Sequence, residues 1–290
     1  MIHVGIRDGQ LGVMDADWFK GLKDLGIKSV EVAVEMPGTV AAPGFLRPGE
    51  GPFDLRAEAG RRALKARFDA NGALINAFMM GNDFAAEDLK AQTDWLVAVC
   101  EAAEGMGVPA VRIDCLPHRQ MDEGEFVSRS AGAIRSALKA TDSVDLGMEN
   151  HGHVSNRPEF IRRIFDRVGD RRMGLTLDTG NFYWFGHPLD HVYEIMEAFA
   201  DRVHHTHVKN ISYPEELRNA HREIGYKYGD FVSPIYAGDI DHRRVAAILR
   251  AAGYDRDLSV EDESFGRFER AQWADILRKD VEHLKACIAG

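Results

Sequence analysis

Residues 145–210 read DLGMENHGHVSNRPEFIRRIFDRVGDRRMGLTLDTGNFYWFGHPLDHVYEIMEAFADRVHHTHVKN. Three short strand-like runs, 145–149, 173–178 and 203–208, alternate here with two amphipathic helical runs, 157–168 and 189–200. Strand, helix, strand implies parallel strands joined by right-handed crossovers. Working outward, the same alternation reaches both ends of the chain. Strands are expected near 3–6, 29–35, 73–79, 110–115 and 257–261, and helices near 16–25, 55–70, 86–106, 123–140, 241–252 and 267–288. The stretch FAAEDLKAQTDWLVAVCEAAEGMG, 84–107, shows the helix signal in full: an apolar stripe at helical spacing and a glycine stop. Eight repeats in 290 residues predict an α/β fold, a closed (β/α)8 TIM barrel with residues 1–290 as a single domain. An open doubly wound sheet is the architectural alternative.

Two segments break the rhythm. MPGTVAAPGFLRPGEGPF, 36–53, is too rich in Pro and Gly for a helix, and NISYPEELRNAHREIGYKYGDFVSPIYAG, 210–238, is long and aromatic. Both follow a strand, so both are expected at the barrel face that carries active sites, as lids or contact surfaces. Variable surface decoration is the alternative for each.

Composition excludes several classes. A net charge of -10 argues against a nucleic-acid surface, which needs clustered Lys and Arg. No apolar run approaches the length of a membrane span. MIHVGIRDG at the N-terminus reads as a strand and not as a signal peptide. Cys100, Cys115 and Cys287 are scattered and odd in number, which suits a reducing cytoplasm.

Alternation along the predicted strands selects the chemistry. Side chains on a strand point to opposite faces in turn. In 145–149, Leu146 and Met148 face the helices, so Gly147 and Glu149 face the barrel axis. By the same parity Thr176 and Asp178 face inward, as do Ser259 and Glu261. The seventh strand is less clean, because His204 and Thr206 fall on the outer parity, but Val208 still turns His205 and His207 inward. Four consecutive strands thus deliver Glu149, Asp178, His207 and Glu261 to one rim. Singly, each has a plain reading as a helix cap or a hydrogen-bonded core residue. Together, three carboxylates in one mouth repel one another and lose solvation, and a divalent cation removes that cost. Three oxygens and one nitrogen suit Mn²⁺, Mg²⁺ or Co²⁺. Glu263 shares the inward parity of Glu261. The last outward apolar residue, Val260, places Glu261 at the height of the other ligands and Glu263 on the rim.

These motifs, LGMENHG (146–152), LTLDTGN (175–181), HTHVKN (205–210) and LSVEDES (258–264), resemble the xylose-isomerase-like TIM barrels of the sugar phosphate isomerase/epimerase group. That group includes ketose 3-epimerases, inosose dehydratases, hydroxypyruvate isomerases and endonuclease IV. The likeness spans the chain, and 238–263 is its most specific part. It implies one bound divalent metal, Mn²⁺ ahead of Mg²⁺, Co²⁺ or Zn²⁺, held by Glu149, Asp178, His207 and Glu261. It also implies that Glu149 and Glu261 move protons. The chain departs from the pattern at Asn181, where many relatives have His, at Ser155, where ketose 3-epimerases carry an acid, and at Lys209, where they place Arg nearby.

The reading is therefore a cytoplasmic, metal-binding isomerase or epimerase of carbohydrate metabolism. Its substrate would be a sugar, keto-sugar or cyclitol, attacked by proton abstraction beside a carbonyl. The alternative is a lyase or dehydratase, with His151 or Lys209 as acid on a leaving hydroxyl; a capping role for His151 weighs equally. Arg7, Glu35 and Asp114 lie near the rim on the inward parity and are candidate hydroxyl-binding residues. Asn181 and Trp184 join them, with Phe182, Tyr183 and Trp184 as an apolar wall for a sugar face or as plain helix packing. Glu31 and Arg112 are expected to pair with each other as interior structure, with a substrate role as the alternative, and Cys115 to be a small core residue. A non-catalytic binding subunit is a second class, and homo-oligomerisation stays open. An abasic-site endonuclease is disfavoured, since FMMGND (78–83) lacks the extra histidine and the chain is acidic.

Overall fold

The computed structural model describes residues 1–289. Eight parallel strands form the barrel: β1 His3–Arg7, β2 Ser29–Ala33, β3 Leu74–Met79, β4 Ala110–Ile113, β5 Asp145–Glu149, β6 Met173–Asp178, β7 Val203–His207 and β8 Asp257–Val260. Neighbours pair in chain order, and β8 returns to pair with β1. The joint between β7 and β8 is thinner. It has one parallel bridge, Val208 to Val260, with Val208 N bonded to Ser259 O at 2.8 Å and Glu261 N to Val208 O at 2.9 Å. The Thr206 hydroxyl completes it, donating to Asp257 O at 3.0 Å and accepting from Ser259 N at 3.1 Å. This explains the outer parity of Thr206: it faces the joint, not a helix. The pairing of β6 with β7 also shifts register between Leu175 and Thr176.

Eight helices surround the barrel: α1 Trp18–Leu25, α2 Glu58–Ala70, α3 Leu89–Met106, α4 Glu123–Ala140, α5 Pro158–Val168, α6 Leu189–Phe199, α7 His242–Ala251 and α8 Trp273–Ala289. α5 shows why. Pro158 starts it without losing a ladder bond, Gly169 stops it at φ 73°, and Phe160, Ile161, Ile164, Phe165 and Val168 bury one stripe. Each such side chain contributes ~1.5–3 kcal/mol on full burial, and Ile164→Asp would drive a carboxylate into that contact. None of the described helices is long and apolar enough to cross a membrane. Cys100, Cys115 and Cys287 are unpaired and buried.

The barrel axis is polar. Glu31, Asn76, Thr176, His205, Asp257 and Ser259 are all buried, where many barrels stack Val, Ile and Leu. Gly147 makes room for this layer, since a Cβ there would lie 2.4 Å from Thr176 Oγ1. The two irregular segments are both folded. In 36–53, the strand pair Thr39–Val40 with Phe53–Asp54 carries Phe45 into a cluster with Trp18, Phe19 and Phe68. In 210–238, Asn210–Ile211 pairs antiparallel with Val232–Ser233 and closes a loop over the mouth.

Candidate metal centre

Glu149, Asp178 and His207 are the last residues of β5, β6 and β7, and Glu261 follows β8 by one position. All four are buried. Each offers one ligand atom, and these atoms lie within 4.8 Å of one another. Local structure aims them. The Asn150 side chain brackets the Asp178 backbone, accepting from its N at 2.8 Å and donating to its O at 3.0 Å. Asp178 Oδ1 accepts from Gly180 N and Asn181 N, both at 2.8 Å, which turns Oδ2 toward the axis. His207 Nε2 faces the Glu31 carboxylate at 2.8 Å, so Nδ1 is the nitrogen turned to Glu261 at 3.1 Å and Glu149 at 3.4 Å.

Three atoms of this cluster, Asp178 Oδ2, His207 Nδ1 and Glu261 Oε2, are buried and form no hydrogen bond, although Nδ1 and Oε2 face each other at 3.1 Å and Oδ2 lies 3.0 Å from Lys209 Nζ. Orphaned buried polar atoms are costly and rare. Three of them, converging as two oxygens and one imidazole nitrogen, form a donor set that fits a divalent cation. The carboxylate–histidine support at Nε2 is the arrangement that usually backs a ligating imidazole.

Three basic side chains, which strand parity does not match to these carboxylates, also converge on the cluster. Arg7 Nη1 bonds Glu261, and Arg112 holds Glu149 through Nε at 2.7 Å and through Nη2. Lys209 Nζ lies 3.0 Å from Asp178 Oδ2, 2.8 Å from Glu263 Oε1 and 3.5 Å from Glu261 Oε2. Burial opposes ionisation of Glu149, but Arg112 and His207 outweigh it and hold its carboxyl well below the usual range. Burial likewise yields to His207, Lys209 and Arg7 at Glu261. Asp178 behaves differently: burial wins over Lys209, and its carboxyl is pushed up to about 7. Repulsion among the carboxylates is therefore relieved in part by three basic side chains. The case for a cation rests on the orphaned atoms more than on uncompensated charge.

The other expected residues are placed as follows. An open cleft of ≈ 310 Å³ is lined by Arg7, Arg112, Glu149, His151, Lys209, Glu261 and Glu263, together with Met79, Met80 and Gly81. His151 stands at its edge, half exposed, with Nδ1 3.2 Å from Asp114 Oδ1. Asp114 is committed to His151 and Arg112 and is not a free rim acid. Asn181 is buried and donates to Glu149 Oε1 at 3.1 Å, so it orients a cluster carboxylate and does not face the cleft.

Glu35 is not brought to the cleft. The strand ends at Ala33, and Glu35 is exposed in a turn closed by Thr39. Trp184 packs against Gly225 and His153, while Phe182 and Tyr183 are core residues, so the expected apolar wall is helix packing. Glu31 and Arg112 do not pair with each other: Glu31 supports His205 and His207, and Arg112 supports Glu149 and Asp114. Tyr228, unnoticed in sequence, reaches from the loop over the mouth to Glu263. Its only signal was the aromatic content of 210–238.

The sequence profile of the xylose isomerase-like TIM barrel family matches residues 19–287, and the chain belongs to that family. No curated protein matches the chain significantly in sequence. Among solved structures, the IOLI protein with a bound zinc atom superposes at TM-score 0.69 and 16% identity, covering 98% of this chain and 99% of that one. A xylose isomerase-like TIM barrel protein from Mycobacterium smegmatis, in complex with magnesium, gives 0.68 and 13%, covering 99% and 97%. A D-tagatose 3-epimerase-like protein gives 0.65 and 14%, covering 98% and 99%. At these identities the likeness shows the fold alone.

Proposed function

We propose that this protein is a divalent-metal-dependent isomerase or epimerase of a sugar, keto-sugar or cyclitol. The observation that carries the reading is the convergence of Asp178 Oδ2, His207 Nδ1 and Glu261 Oε2, all buried and without hydrogen bonds, beside Glu149. Glu149, Asp178, His207 and Glu261 would hold the ion, Mn²⁺ first among the candidates. When bound, it would polarise a substrate carbonyl and offset the charge that develops as a proton leaves the neighbouring carbon. The zinc and magnesium in two structural neighbours support a metal in this fold.

The chain's own groups supply the proton chemistry. Glu149 and Glu261 reach the cleft from β5 and β8, well apart around the barrel. Each is backed by its own arginine, Arg112 for Glu149 and Arg7 for Glu261. That near-symmetry suits two carboxylates on opposite faces of one carbon, one removing a proton and the other returning it. The guanidinium partners keep both ionised and aimed. His151, at the cleft edge on Asp114, can exchange protons with solvent. A second reading follows from Lys209 and His151 lining the same cleft: a hydroxyl leaving toward either gives dehydration from the same proton removal.

The test has two parts. Protein reconstituted with Mn²⁺ should carry about one ion per chain, and a chelator should lower its Tm. A panel of keto-sugars and inososes incubated with it in deuterated water should show one substrate gaining deuterium beside its carbonyl. A chain that takes up no ion under these conditions sinks the reading.

A further inference from the structure

The mouth contains three side chains that could receive an anionic substrate group: Arg7, Arg112 and Lys209. All three already face carboxylates. Arg112 spends Nε and Nη2 on Glu149 and Nη1 on Asp114 and Met80 O. Arg7 donates Nη1 to Glu261, and its Nε, buried without a hydrogen bond, lies 3.6 Å from Glu31. Lys209, itself buried, hydrogen-bonds Glu263 at 2.8 Å and lies at ion-pair distance from Asp178, 3.0 Å, and Glu261, 3.5 Å.

Glu263 is the member of this set that is not needed for the metal cluster. Its side chain is 39% exposed and lines the cleft between Lys209 and solvent. Its second oxygen accepts from the Tyr228 hydroxyl. Tyr228 is delivered there by an unusual backbone. Lys227, immediately before it, has φ 44°, alone among the described non-glycine residues in the left-handed region. Such strain persists where surrounding structure fixes it, and it clusters at functional sites. Here it starts the one-turn helix Tyr228–Phe231 on the loop over the mouth.

We infer that Glu263, held by Tyr228, is a specificity-determining residue: it occupies the Lys209 ammonium and excludes substrates whose group at that position is a phosphate or carboxylate. The inference rests on the reading of the cleft as a sugar site, and it assigns to that site an uncharged group beside Lys209. An entering anion meets the Glu263 carboxylate before it meets the lysine, and the unbonded Nε of Arg7 is buried 3.6 Å from the Glu31 carboxylate. Like charges set in contact are how binding sites reject a close competitor.

The probe is inorganic phosphate, titrated calorimetrically into wild type, Glu263→Gln, Tyr228→Phe and the double variant Glu263→Gln/Lys209→Met, all at the same metal content. Comparison between variants reads out even where no sugar is turned over, so it fails separately from the isomerase reading. Glu263→Gln should bind phosphate at least ~10-fold more tightly than wild type, the scale of one charge-assisted hydrogen bond. Adding Lys209→Met should abolish the gain, and Tyr228→Phe, which keeps the ion pair, should show less than half of it. Wild type binding phosphate as tightly as Glu263→Gln overturns the inference, as does a gain that survives Lys209→Met. Glu263→Ser, smaller at the same half-exposed position, replaces Glu263→Gln if that chain melts without cooperativity.

Discussion

The floor and the mouth of the barrel are both packed with buried ionisable groups, but they are finished differently. On the floor, Asp257, His205 and Glu31 form a continuous chain. His205 Nδ1 meets Asp257 Oδ1 at 3.0 Å, and its Nε2 meets Glu31 Oε1 at 3.0 Å. Ser259 Oγ donates to Asp257 Oδ2 at 2.9 Å, and His207 Nε2 covers the second oxygen of Glu31. Every carboxylate oxygen has a partner. In the mouth, at the C-terminal ends of β6, β7 and β8, three atoms have none. A buried polar network that is saturated rigidifies a fold, whereas one left open is a place for something to bind. Burial and charge alone would not have separated the two regions; hydrogen-bond completeness of the ionisable groups does, with Asn76 Oδ1 the unpartnered neutral atom on the floor.

The largest effect should come from cutting the floor. Glu31→Ala strands His205, His207 and Arg7 around a lost carboxylate. Removing one partner of a buried ionic group costs ~3–5 kcal/mol, measurable as a fall in the urea midpoint. The matching cut in the mouth, Asp178→Asn, keeps the Oδ1 hydrogen bonds and should cost the metal-free protein less than ~1 kcal/mol, as expected of a residue kept for function. Equal losses for the two variants would erase the distinction between floor and mouth.

Next comes chemistry. Glu149→Gln should still fold, with a lowered Tm because buried Arg112 loses its charged partner, and should lose at least ~100-fold in turnover, the scale of a positioned acid or base. A rate within a few-fold of wild type removes Glu149 from the mechanism.

The smallest effect tests an intermediate case. Asp8 is buried, and the one side-chain hydrogen bond it accepts is from Ala33 N at 2.8 Å. Burial pushes its carboxyl up to about 6, against the backbone donor. An acid whose folded value is raised binds its proton more tightly when folded. Its contribution to stability is therefore best below about pH 4 and is lost as pH rises toward 6. Asp8→Asn, which can keep the Ala33 bond, should exceed wild type in stability by ~1–3 kcal/mol at pH 7.5 and match it near pH 4. Equal stability of the two at pH 7.5 would show that one backbone donor suffices.

Most of the architecture was legible because alternation and helix stops are local signals. β5, β6 and the first seven helices fall where periodicity puts them, while the eighth begins at Trp273, after two 3-10 turns and six residues beyond its expected start, and the four cluster residues share one rim because parity and strand ends both point there. What was not legible depends on distant pairings. Glu35 was projected inward by extending a strand that stops at Ala33, where the chain turns. Glu31 and Arg112 were matched as opposite charges without knowing that His205, His207 and Glu149 would compete for them. Tyr228 meets Glu263 across a loop whose path no sequence period encodes.

The thin joint between β7 and β8 has a mechanical consequence. A closed barrel is a hoop, and this hoop is thinnest at one link, spanned by a single backbone bridge, the Thr206 hydroxyl and the His205–Asp257 contact. His207 and Glu261 stand on its two sides. An ion gripped by both would act as a rivet through that link, so opening the hoop and releasing the ion would become one event. Loss of the ion would then be felt first as fraying along Val208 and Glu261, while the opposite wall at β3 and β4 stayed shut.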